Sequence, residues 1–115
     1  NRYHVALKPL ADQGRLMLPF IPEFASNNAH MFYVLTENLH ERSALIEHMK
    51  SAGSFPVFHY LSLHKSPFYT DKHQGGDMPH SDRYMDTLLR LPLFVDMSDA
   101  ETDRVIESII GYFAK

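Results

Sequence analysis

Ala29-His30-Met31-Phe32-Tyr33-Val34-Leu35-Thr36-Glu37-Asn38-Leu39-His40-Glu41 changes its pattern of side chains halfway along. Ala29 to Leu35 is dense in aromatic and β-branched residues and follows the turn formers Ser26-Asn27-Asn28, which predicts a buried strand. Asn38 and Glu41 then stand at capping-box spacing, each placed to take an orphan backbone amide of the other, which predicts a helix start. Leu45, Ile46, Met49 and Ala52 continue at helical spacing, and Gly53 supplies a left-handed stop. A strand feeding straight into an amphipathic helix is the unit from which the rest is read.

Downstream, Phe55 to Tyr60 reads as a second short strand with Pro56 near its start. From Leu61 to Pro79 periodicity fails, and Gly75-Gly76-Asp77 mark a long mobile loop. Ser81 or Asp82 is placed to cap a third helix with Tyr84, Met85, Leu88 and Leu89 on one face, followed by a strand over Leu91 to Val95. Ser98 and Glu101 form another capping box, and Val105, Ile106, Ile109, Ile110 and Phe113 form the apolar stripe of a last helix. Upstream, Pro9 and Gly14 are expected to break a helix carried in from the amino terminus. Asn1 to Leu7 lacks a starting Met and reads as a helix already under way. Leu16 to Pro22, with two prolines, is an edge strand or a covered loop. The pattern predicts an α+β fold: a short, mostly antiparallel sheet with helices packed on one face.

A chain of 115 residues, 44% hydrophobic and 22% charged, is one globular domain in length and composition. Its net charge of -3 leaves no broad basic face for nucleic acid. No apolar run approaches the roughly 20 residues that span a membrane. With no cysteine, thiolate nucleophiles and Cys-based metal sites are excluded, and a cytoplasmic location is compatible.

Eight histidines are the unusual count. His59, His64, His73 and His80 could be gathered around a metal, but their spacing matches no ligand template. His4, His40 and His48 read as solvent-exposed, and His30 as a hydrogen-bonding residue at a domain edge. No nucleophile elbow or phosphate-cradling glycine loop is present, and the acids from Asp99 to Glu107 read as a solvated helix face. His59 and Tyr60 stand out because they end a strand and open a loop, where scaffolds present functional side chains. Strand alternation would send the two to opposite faces, only one of them toward a cleft.

Four segments together resemble one family. Val57-Phe58-His59-Tyr60-Leu61-Ser62-Leu63-His64 is similar to the His-Tyr-x-Pro-Leu-His signature of the DegT/DnrJ/EryC1/StrS sugar aminotransferases. Leu88-Leu89-Arg90-Leu91-Pro92-Leu93-Phe94 is similar to their Leu-x-Leu-Pro-Leu segment, and Asn28 to Val34 and Arg42 to Ile46 resemble the strand and helix before the signature. Ser62 departs from the pattern, standing where the family has proline. Losing that ring frees φ and restores an amide donor, so a looser turn before His64 is expected.

The resemblance implies the carboxy-terminal small domain of a fold-type-I aminotransferase, with residues 1–14 as the end of an inter-domain helix and connector and 15–115 as the small domain. The large domain, with the lysine that holds pyridoxal phosphate (PLP), would lie outside this chain. The implied parent enzyme is a cytoplasmic homodimer that moves an amino group from glutamate to a dTDP-4-keto-6-deoxy sugar for lipopolysaccharide or enterobacterial common antigen. His59, Tyr60 and His64 are the implied substrate contacts. None of Lys8, Lys50, Lys65 and Lys72 lies in a segment matching the family's catalytic-lysine region, so no catalytic residue and no cofactor are expected in the chain itself. A second reading is a free-standing, non-catalytic binding module derived from this domain.

Overall fold

The computed structural model describes residues 2–114. Three short strands, β1 (Phe32–Leu35), β2 (Val57–Phe58) and β3 (Leu88–Leu91), form one sheet in the order β1-β3-β2, with both pairings antiparallel. Four α-helices complete the chain: α1 (Arg2–Asp12), α2 (Leu39–Ser51), α3 (Pro79–Thr87) and α4 (Asp99–Phe113). The α+β class and the antiparallel sheet are as the sequence predicts.

Register explains which side of the sheet is covered. Phe32 lies opposite Leu91 and Val34 opposite Leu89, and these four face the helices. There they join Tyr3 and Leu7 of α1, Leu45 and Met49 of α2, and Val105, Ile109 and Phe113 of α4 in a single core. Leu7, Val34, Leu45, Met49, Leu89 and Ile109 are fully enclosed. Val57 and Phe58 pair with Arg90 and Leu89, so β2 hangs on the far edge of the central strand. Arg42 of α2 lies 5.3 Å over the Phe58 ring and donates to the Met85 carbonyl at 2.6 Å, tying α2 to both β2 and α3.

The sequence expectations need correction at several boundaries. Pro9 does not end α1: the carbonyl it leaves unpaired is that of Val5, on an exposed turn where water can serve. The helix stops instead at Gly14 (φ +72), whose amide bonds Ala11 O while Arg15 N reaches Leu10 O. Leu16 to Pro22 touches the sheet through one bridge only, Met17 with Leu35.

The Asn38 side chain caps α2 through Glu41 N, but the Glu41 carboxylate returns to Glu37 N rather than Asn38 N, so no reciprocal box forms. The box at Ser98 and Glu101 is complete. Helix α3 starts at Pro79, which needs no amide partner there, so Ser81 and Asp82 sit inside the first turn rather than capping it. Leu88 and Leu89 are strand, not helix face, and Leu93 to Val95 is not a strand, Val95 being 87% exposed. Ile110 lies at the edge of its stripe, part-exposed. The loop after Leu61 contains a 3-10 turn, Leu63–Lys65.

Candidate functional site

Strand β2 ends at Phe58, and the residues that follow leave the sheet at once. The strand alternation expected to separate His59 from Tyr60 therefore does not operate. Their rings meet edge to face with centroids 4.6 Å apart. Tyr60 is 77% exposed, whereas His59 Nδ1 is buried and has no hydrogen-bond partner.

The chain then turns through Ser62 into the 3-10 segment. Ser62 holds φ −60 and ψ 127, backbone that proline also adopts, and is buried. Its amide contacts Met85 Sδ at 3.3 Å and its hydroxyl pairs with Ser81 Oγ at 2.9 Å. The looser turn expected from the missing proline is thus replaced by one pinned to α3 through the donor that proline lacks.

His64 turns toward α3 and not toward a free surface: its side chain is 11% exposed and its Nε2 stands 3.1 Å from Asp82 Oδ1. The other carboxylate oxygen, Oδ2, lies 3.0 Å from Lys65 Nζ. The pairing with His64 is electrostatic, since Oδ1 receives no aligned N–H. Asp82 is held below its ordinary pKa of 3.8, first by Lys65, against the opposing cost of burial, with His64 and Ser62 adding to the depression. On the other flank the His73 ring lies 5.3 Å from that of His64, and His73 Nε2 bonds the Gly76 carbonyl at 2.8 Å.

His64, Tyr69, Lys72 and His73 border an open cleft of about 390 Å³. His59 and Tyr60 do not line it, so the sequence candidates divide into an aromatic pair and a separate, carboxylate-held histidine. Asp82 and Ser81 were invisible as site residues in the sequence, and His73 entered there only among the histidines weighed for a metal. Asp82 and Ser81 read there as ordinary helix-start residues, and only contact across the loop gives them another role.

A larger cleft of about 920 Å³ opens elsewhere, between Pro19–Pro22 and Asn27–Tyr33, with His4 at its edge. Its lining holds no carboxylate, lysine or arginine, and Phe20 and Phe24 nearby are among the most exposed large side chains. It has the chemistry of a contact surface more than of a reaction site.

The other histidines are scattered. His4, His30, His40 and His80 are exposed, and the His48 ring lies 5.5 Å from that of Tyr112. Among the described residues no group of three or more His, Asp or Glu is placed to hold a metal ion. No described helix is long and apolar enough to cross a membrane.

The chain belongs to the DegT/DnrJ/EryC1/StrS aminotransferase family, whose model matches residues 1–110. It superposes on the aminotransferase TlmJ from Streptoalloteichus hindustanus with a TM-score of 0.85 at 24% identity, over 98% of this chain and 29% of that one. NtdA from Bacillus subtilis, solved with bound cofactor PMP, gives 0.84 at 24% identity, over 99% of this chain and 26% of that one. A DegT DnrJ EryC1 StrS aminotransferase from Brucella abortus gives 0.80 at 26% identity, over 99% and 29%. The chain thus spans under a third of the length of these solved relatives.

The family is PLP-dependent, and the residues described here do not fit that cofactor. A Schiff-base lysine needs a desolvated amine beside a phosphate cradle. Lys8 pairs with Asp12 and Lys50 with Glu47 on exposed helix surfaces, Lys65 pairs with Asp82, and Lys72 rests 3.3 Å over the Phe68 ring.

Proposed function

We propose that this chain is the substrate-facing small domain of a nucleotide-sugar aminotransferase, residues 1–14 ending the inter-domain helix and 15–115 forming the domain. The observation that carries the reading is the His59–Tyr60 pair: a ring and hydroxyl projecting into solvent from the edge of a sheet whose central strand is locked in the core. In the assembled enzyme a larger domain supplies the PLP lysine and covers the apolar side chains of Phe20, Ile21 and Phe24. Tyr60 offers an aromatic face and a polar tip to sugar or base, and His59 Nδ1 is a buried nitrogen awaiting a partner. His64 is the third contact, reached from the α3 side.

The donor is glutamate and the acceptor a dTDP-4-keto-6-deoxy sugar. In sequence the chain resembles the dTDP-4-keto-6-deoxyglucose aminotransferase of enterobacterial common antigen synthesis, a lipopolysaccharide-type pathway. Val57 to Tyr60 and Leu88 to Phe94 support that choice. A cytoplasmic homodimer completes the reading.

The test separates the two half-reactions of the assembled enzyme. Tyr60→Ala and His59→Ala are expected to raise KM for the keto sugar about tenfold, the loss of one good polar or aromatic contact, while the glutamate half-reaction is unchanged. Unchanged sugar kinetics in both variants would remove these residues from the substrate site.

A further inference from the structure

Three places outside the aromatic pair hold groups that could act: the apolar cleft beside Phe20, the cleft flanked by Phe55, Phe94 and Arg104, and the Asp82 cluster. The first is an open, largely apolar surface, and the second mixes apolar side chains with Glu101 and Arg104 but gathers no convergent polar groups. The third is built from charged, part-buried side chains of two elements, and it can be argued to a specific role.

Asp82 stands in the first turn of α3, where the helix dipole favours a carboxylate. It faces the 3-10 turn, with Oδ1 3.1 Å from His64 Nε2 and Oδ2 3.0 Å from Lys65 Nζ. Ser81 and Met85, neighbours on the same helix, grip Ser62 two residues before His64. The backbone entering the turn and the side chain leaving it are therefore both fixed by α3. Asp82 from α3 and His73 from the loop lie against the His64 ring, Lys65 pairs with the far oxygen of Asp82, and Tyr69 and Lys72 line the same cleft.

We propose that Asp82 is a positioning residue that sets the tautomer of His64, and through it the kind of ligand atom the turn accepts. A carboxylate oxygen 3.1 Å from Nε2, though off the line of an N–H there, makes a bare lone pair on that nitrogen electrostatically unfavourable and so favours the proton on it. The neutral ring then keeps Nδ1 as its free acceptor, suited to a hydroxyl or N–H of the ligand. Protonated, the same nitrogen becomes a donor suited to a phosphate oxygen. Lys65 pairs with the second oxygen and does not itself touch the ring.

This inference rests on the reading of His64 as a substrate contact, but its test needs no substrate, so each can fail alone. Histidine nitrogens in the 15N-labelled 115-residue chain are observed by long-range proton–nitrogen correlation above the imidazole titration range, with His64→Gln used to assign the signals. The Nε2–H tautomer of His64 is expected to predominate. Asp82→Ala is expected to abolish that bias and Asp82→Glu to restore it, while Lys65→Met, which removes only the ion pair, leaves the tautomer in place. Should Asp82→Ala fail to fold by circular dichroism, Asp82→Asn at unchanged amide spectrum serves instead, with a weakened bias expected. A predominant Nδ1–H form in the wild type overturns the proposal, as does a tautomer indifferent to loss of the carboxylate.

Discussion

Tyr3 is buried in the core with its hydroxyl donating to the Pro92 carbonyl at 2.7 Å, and burial pushes its pKa from 10.0 up to about 12. The folded state prefers the neutral phenol more strongly than the unfolded chain does. The stabilisation is therefore full below pH 10.0 and is lost as pH rises through about 12. Tyr3→Phe is expected to flatten that alkaline loss in urea titrations, and to cost about 1 kcal/mol at neutral pH by orphaning the Pro92 carbonyl. At this scale sequence reading found the residues whose signals are local, such as the Ser98 cap, and missed those whose partners are remote. Ser62 shows the limit: its proline-like backbone was hidden behind a departure from a motif, and its grip on Ser81 and Met85 spans residues far apart in sequence.

Helices were legible because periodicity and caps accumulate over many residues. Strands β1 and β2 were read near their places, but β3 was not, because at four residues it is too short for a period of two to outweigh a helical one. Leu88 and Leu89 fit the helical spacing from Tyr84 equally well. What decides for strand is pairing with β1 on one side and β2 on the other, which no local signal reports. The same truncation of β2 brought His59 and Tyr60 together where alternation predicted opposite faces. Where the sequence did specify an element end, the structure explains why. Gly53 ends α2 at φ +78, its amide on Lys50 O and the next amide on Met49 O, with open space where a Cβ would project. Gly53→Ala therefore meets no clash, and its cost is backbone strain alone, about 1 kcal/mol. The expected result is a lower urea midpoint at unchanged m-value.

The whole molecule is one core with an uneven surface. Its polar turn faces one way, and large apolar side chains such as Phe20 (86% exposed) and Phe24 (94% exposed) lie open. Family membership was legible in the sequence because four separated segments agree, a signal that does not depend on locating any strand. The proposed division of labour rests on where the lysines sit: each described one is exposed and engaged with an acid or a ring.

The central claim is that this chain contributes substrate contacts and not cofactor chemistry. It is tested most directly by incubating the chain with PLP and glutamate, reducing with borohydride and mapping pyridoxyl groups by mass spectrometry. Only scattered substoichiometric labelling of surface lysines is expected, with no transfer of an amino group to the cofactor. One stoichiometric adduct on a single lysine, accompanied by transamination, would contradict it.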